Sequence, residues 1–178
     1  MSSTEPAIRV VLSGCSGAGK SSLLAEMASR GWSVAPEAGR RVLEEGPRPW
    51  EDAPGFVRAA TTLAAADYDA ARPGVTVFDR GLVDLLAYLP FKGEPIPDDL
   101  ADMAKRRRYA DTVFWAEPWP AVFADDGSRG KTISDAAAEA NALADVYDGL
   151  GYRRITLPQL SIAARADWLE TRLRRLVQ

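Results

Sequence analysis

Eight consecutive residues, Gly14-Cys15-Ser16-Gly17-Ala18-Gly19-Lys20-Ser21, carry the most specific chemistry in the chain. They match G-x-x-x-x-G-K-[S/T], with an apolar β-branched run before them and a helical pattern after, which is the context the motif needs to cradle a polyphosphate. Glycines at 14, 17 and 19 permit a tight turn whose backbone N–H groups point inward with no Cβ in the way. The helix that follows aims its positive end at the same spot. Lys20 is placed to reach the β- and γ-phosphates and the Ser21 hydroxyl to ligate Mg²⁺. A nucleoside triphosphate, with ATP and Mg²⁺ as the expected pair, is therefore the ligand predicted for residues 14–21 and the adjoining Ser22. Cys15 reads as a spacer within the loop rather than a reactive thiol.

Three further stretches supply groups that can act on the terminal phosphate. Val-Thr-Val-Phe-Asp-Arg-Gly puts Asp79 and Arg80 at the end of a buried strand, where parallel α/β sheets open their ligand crevice. Asp79 can hold Mg²⁺ or a substrate hydroxyl and Arg80 can clamp phosphate oxygens; the plain alternative is a solvated Asp-Arg turn. Glu37 follows a second short strand and is a candidate general base, or else one half of an i,i+3 ion pair with Arg40. Arg129, in Asp-Asp-Gly-Ser-Arg-Gly-Lys, lies where a lid would close over the phosphates, while Asp125 and Asp126 beside it also suit a simple turn. Pro158, after the last strand, is positioned to border the adenine. Trp50, in a proline-rich loop, is a stacking candidate for a substrate ring. The basic run Lys-Arg-Arg-Arg-Tyr at 105–109 reads as a solvated helix end whose cations complement the helix dipole, the alternative being contact with a substrate phosphate or an acidic lipid.

Composition narrows the chemistry further. There is no histidine, so His ligands, Ser-His-Asp triads and imidazole bases are absent, and proton transfer falls to carboxylates, Lys or Tyr. One cysteine excludes an internal disulfide and fits a reducing, cytoplasmic compartment. The net charge of −3 gives no overall basic surface for nucleic acid, and one short basic run offers few phosphate contacts. The first residues lack a basic start and a long apolar core, so no signal peptide is expected, and no run reaches the ~20 apolar residues of a membrane span.

The elements that must hold these residues alternate. Strands are expected over Ile8–Ser13, Ser33–Pro36, Val75–Phe78, Thr112–Ala116 and Tyr152–Leu157. Helices are expected over Ser21–Ser29, Glu37–Glu45, Phe56–Ala71, Leu82–Leu89 (closed by Pro90), Leu100–Arg108, Ser134–Leu150 and Ser161–Val177. Residues 1–7 are expected to be flexible, and 1–178 to form one domain. The alternation predicts an α/β architecture, a mostly parallel sheet with helices on both faces.

Taken together, the phosphate loop, Pro-Glu-Ala-Gly-Arg at 36–40, Val-Phe-Asp-Arg-Gly at 77–81 and Asp-Asp-Gly-Ser-Arg at 125–129 resemble the small P-loop kinase-like "AAA domain" ATPases. The chain is also similar to the nicotinamide riboside kinase domain and, more distantly, to deoxynucleoside and thymidylate kinases, from about Ile8 to Leu173. The resemblance implies a nucleoside-monophosphate-kinase-like three-layer fold with a five-stranded parallel sheet. It assigns Glu37 as base, Asp79 and Arg80 to Mg²⁺ and phosphate, and Arg129 to the lid. The N-K-x-D guanine signature and an hhhhDE Walker B strand are both missing, which disfavours a GTPase switch and a ring motor. Two functions follow. The leading one is a kinase transferring the γ-phosphate of ATP to a hydroxyl of a nucleoside-like or other small acceptor; the other is a nucleotide-hydrolysing switch or interaction module. A second copy of the chain is a possible partner.

Overall fold

The computed structural model describes residues 6–123 and 132–176. Among the described residues five strands, β1 (Ala7–Gly14), β2 (Ser33–Ala35), β3 (Gly74–Asp79), β4 (Thr112–Ala116) and β5 (Arg153–Thr156), form one sheet in the order β2-β3-β1-β4-β5. All four pairings are parallel. The described residues also form seven helices, one or two after each strand: α1 (Lys20–Ser29), α2 (Ala38–Glu45), α3 (Ala53–Ala70), α4 (Leu82–Phe91), α5 (Asp98–Arg106), α6 (Ile133–Gly149) and α7 (Ile162–Arg174). α1 packs on α7, while α4 lies between α3 and α6, giving the three layers expected.

β1 is the centre of the sheet, and Val10, Val11 and Leu12 are wholly buried, as a parallel strand covered on both faces requires. β5 closes one edge and reads Arg-Arg-Ile-Thr, with Arg153 and Thr156 exposed, so polar residues guard the open side. The chain passes from β3 to β4 across β1, so the strand order reverses there and a crevice opens at the carboxyl ends. Gly14, Asp79 and Ala116 end β1, β3 and β4, while Glu37 and Pro158 follow β2 and β5 by two residues. The parallel order thus places Gly14, Glu37, Asp79 and Pro158 at the carboxyl end of the sheet.

Some boundaries differ from those expected. β1 begins at Ala7, which pairs with Gly74, and the Pro6 carbonyl just before it accepts the Gly74 N–H at 3.0 Å; residues 1–5 lie outside the described ones. α3 starts at Ala53 because the Asp52 side chain accepts from Gly55 N–H and Pro54 sits in the first turn. Pro90 does not close α4, which continues to Phe91. A proline in the last turn forfeits only its own hydrogen bond, and Lys92 N–H still reaches the Tyr88 carbonyl at 3.1 Å. α5 ends at Arg106, so Arg107 and Arg108 leave the helix: Arg107 pairs with Asp69 of α3 at 2.7 Å, and Arg108 stacks 4.3 Å over Tyr152.

The tightest spot is the exit of β1. A Cβ on Gly14 would lie 2.3 Å from the Ala116 carbonyl oxygen, and its φ of +111° is one that side chains disfavour. Gly14→Ala is expected to cost about 3 kcal/mol or more, from strain plus overlap with backbone that cannot move alone. Urea denaturation measures this; a loss under about 1 kcal/mol would show that β1 and β4 can part.

Candidate functional site

The loop between β1 and α1 is built as its glycines suggested. Gly14, Gly17 and Gly19 have φ of +111°, +73° and +75°. Cys15 N–H donates to the Ala116 carbonyl at 2.7 Å, tying the loop's base to β4. α1 begins directly after Gly19, which as glycine offers no side-chain cap to the first amides. Lys20, 6 % exposed, donates to the Cys15 carbonyl at 2.6 Å and so spans the loop. Burial, then the neighbouring Arg80, pulls its ammonium down to about 8, with Asp79 and Glu37 opposing.

Ser21 donates to Asp79 Oδ2 at 3.2 Å, bringing together the two residues expected at a metal. Asp79 is buried, and its Oδ1 has no hydrogen-bond partner. Burial, then Glu37, raises its carboxyl above the ordinary range, although Lys20 and Arg80 lie close. No cluster of three His, Cys, Asp or Glu that could hold a metal occurs among the described residues. An unsatisfied carboxylate oxygen next to a hydroxyl fits Mg²⁺, which takes few protein ligands and completes its shell with water and phosphate oxygens.

Glu37 is the N-cap residue of α2 and only 11 % exposed at its side chain. It pairs with Arg80 and with Arg40, each at 3.7 Å, so the i,i+3 pair anticipated with Arg40 coexists with a partner from β3. Arg80 in turn pairs with Asp84 at 3.2 Å. Burial works against the Arg80 charge, but Glu37, Asp84, Glu139 and Asp79 outweigh it and keep the guanidinium protonated well above its usual range.

Glu37 stands at the junction of two cavities. One, about 180 Å³, is walled by Leu43, Trp50, Phe56, Leu85 and Tyr88, with Arg80, Asp84 and Glu139 among its polar lining. The other is an open groove of about 360 Å³ that includes Ser21, Asp79 and Arg40. Trp50, 59 % exposed, thus lies in the cavity wall, and the Phe56 and Tyr88 rings meet edge to face at 6.3 Å. Trp115 is core, packed on Tyr147, and Trp119 lies under the Arg165 guanidinium. Pro158 is half-buried beyond β5. Arg129, with Asp125, Asp126 and Lys131, lies outside the described residues; the described cap of α6 is Thr132, which exchanges hydrogen bonds with Asp135.

Several site residues escaped the sequence reading. Asp84, Tyr88 and Glu139 line the cavity, and Arg165, buried in α7, donates to the Ala18 carbonyl of the loop at 3.2 Å. Only Asp84 left a sequence trace, an acid one helical turn beyond Arg80.

A family model described as an AAA domain matches residues 9–165. No curated protein sequence matches the chain. Among solved structures, deoxyadenosine kinase from M. mycoides with products dCMP and dCDP bound gives a TM-score of 0.62 at 14 % identity, covering 95 % of this chain and 100 % of that one. Thymidylate kinase from Ehrlichia chaffeensis gives 0.59 at 13 % identity, covering 93 % and 98 %. The YorR protein of Bacillus subtilis, in complex with phosphorylated GDP, gives 0.58 at 15 %, covering 93 % and 95 %. At these identities the likeness establishes the fold, that of P-loop nucleotide kinases.

Burial raises the Cys15 thiol above its ordinary range and leaves it 1 % exposed. Iodoacetamide at pH 7.5 should therefore modify Cys15 at below about 1 % of the rate of free cysteine, rising only as the chain unfolds. Mass spectrometry of the native protein checks this; rapid native alkylation would mean that the loop opens.

Proposed function

The chain belongs to the AAA-domain family matched across residues 9–165, and from that premise we propose that it is a P-loop kinase, acting as a single cytoplasmic domain, that transfers the γ-phosphate of ATP to a small acceptor. The supporting observation is the position of Glu37, between an apolar-walled cavity and the groove holding Ser21 and Asp79. A hydrolase needs only water beside the γ-phosphate, whereas this carboxylate faces a chamber with aromatic walls suited to a planar ring.

In this reading the triphosphate lies along residues 14–22, its oxygens taking the loop amides and Lys20, with Pro158 bordering the adenine. Ser21 and Asp79 would hold Mg²⁺, which would supply positive charge against the phosphate oxygens. The acceptor ring lies against Trp50, Phe56 and Tyr88, with one hydroxyl beside Glu37. That oxygen forms the new bond to the γ-phosphorus as the bond to the β,γ-bridging oxygen breaks. Its proton passes to the Glu37 carboxylate and ADP departs. Arg80, and Arg129 from the lid, balance the charge on the transferred group. A nucleoside is the acceptor class that best matches a flat apolar wall with a hydroxyl-facing carboxylate.

Radiolabelled ATP incubated with nucleosides and other hydroxyl compounds tests the assignment. A phosphorylated product is expected from at least one nucleoside, and Glu37→Gln should lower its rate by about 10²-fold or more with little change in ATP affinity. Hydrolysis that no acceptor accelerates, unaffected by Glu37→Gln, would instead favour the switch or interaction module.

The lowered Lys20 value gives a pH signature. A bound triphosphate favours the protonated amine, so above about pH 8 binding must take up a proton. ATP affinity should fall as pH rises past 8, approaching tenfold per unit, and this decline should vanish in Lys20→Arg. Calorimetry between pH 7 and 9.5 measures it; a flat wild-type profile would refute the buried-lysine account.

A further inference from the structure

Asp84 lies in the first turn of α4, and its side chain is 2 % exposed. A carboxylate buried this deeply needs every lone pair met. Oδ1 accepts from the Ser13 hydroxyl and from Arg80 Nη1, and Oδ2 accepts from Gly81 N–H at 2.8 Å and from the Tyr147 hydroxyl. The four donors come from the end of β1, the β3–α4 turn and α6. Ser13 immediately precedes the phosphate loop, and Tyr147 is fully buried, its ring packed edge to face on Trp115 and Tyr152.

The residue held by this network is in an unusual conformation. Arg80 has φ of +65°, the only positive φ at a non-glycine among the described residues. Two contacts secure the turn besides Asp84: Arg80 N–H donates to the Leu12 carbonyl at 3.0 Å, and Leu82 N–H to the Tyr109 hydroxyl at 3.3 Å. The guanidinium then lies between Asp84 and Glu37, on the wall of the 180 Å³ cavity. Of the two carboxylates that pair with the guanidinium among the described residues, Asp84 at 3.2 Å lies within hydrogen-bond reach and Glu37 at 3.7 Å does not. Ser13 and Tyr147 orient the carboxylate, which leaves Oδ1 directed at Nη1.

We propose that Asp84 is the positioning residue that aims Arg80 at the transferred phosphoryl group, with Ser13 and Tyr147 fixing Asp84 in turn. The role at the phosphoryl group rests on the kinase reading; the aiming of Arg80 does not. Asp84 and Tyr147 touch no reacting atom, and their effect on turnover passes through one guanidinium.

Two measurements on the full chain decide this. In the first, arginine side-chain NMR of the nucleotide-free protein follows the Arg80 Nε–H signal, assigned by its loss in Arg80→Gln. Tyr147→Phe, which removes only a hydroxyl, should speed its hydrogen exchange about fivefold, and Asp84→Asn about tenfold or more, while the Nε–H of Arg9, bonded to the Tyr68 carbonyl at 2.7 Å near the start of β1, keeps its wild-type rate. Tyr147→Phe carries the test alone if Asp84→Asn does not fold. Unchanged Arg80 exchange, or equal acceleration at Arg9, overturns the proposal. In the second, a double-mutant cycle reads product formation. Asp84→Asn should lower turnover about 10- to 100-fold in the wild-type background and less than about threefold in Arg80→Gln. Equal losses in both backgrounds overturn the proposal. A wild-type protein that turns over no nucleotide removes the kinase reading, and the NMR result still decides whether Asp84 aims Arg80.

Discussion

Between the ends of β1 and β4 there is no space for a side chain. The Gly14 α-carbon sits so near the Ala116 carbonyl that the next amide, Cys15 N–H, bonds to it at 2.7 Å. This contact sets where the loop leaves the sheet, and so where Lys20 and Ser21 begin α1. The register of β1 with β3 then places Leu12 opposite Asp79, bringing that carboxylate within reach of Ser21. Two strand pairings, fixed by backbone geometry and close packing, thus align groups from distant parts of the chain to within a hydrogen bond.

The buried charges that result are held in different ways. Arg80 retains its proton because carboxylates surround it and exceed the penalty of burial. Lys20 is also buried, and burial followed by the neighbouring Arg80 charge outweighs Asp79, Glu37 and Asp84, so it gives up its proton more readily. Asp79 leans the other way, with burial and Glu37 favouring the protonated form and one oxygen unpartnered. Buried charges of both signs thus share one end of the sheet, with their protonation set by different neighbours.

Local pattern made much of this readable. The β-branched run before Gly14 and the glycines through it specified a strand, a turn and a helix in sequence, and strand-helix alternation specified the parallel sheet. What escaped reading depends on contacts between residues far apart in the chain. Asp84 meets Ser13 and Tyr147 across 71 and 63 positions, and Arg165 reaches Ala18 across 147. No periodicity links such pairs. Arg107 was read as a solvated cation because Asp69, its partner 38 residues away, leaves no mark on the local sequence. The carboxyl-end geometry of the sheet was predictable, but the identity of the side chains that lock it was not.

The left-handed backbone at Arg80 sets two selective pressures against each other. A residue with a Cβ at φ of +65° sits in a region that glycine occupies freely and others at a cost of roughly 1–3 kcal/mol. Replacement by glycine would relax the main chain while deleting the guanidinium that Glu37 and Asp84 flank. Directed evolution for heat tolerance alone would thus drift toward glycine at position 80, and the hardier protein would have lost the charge around which its cavity is arranged.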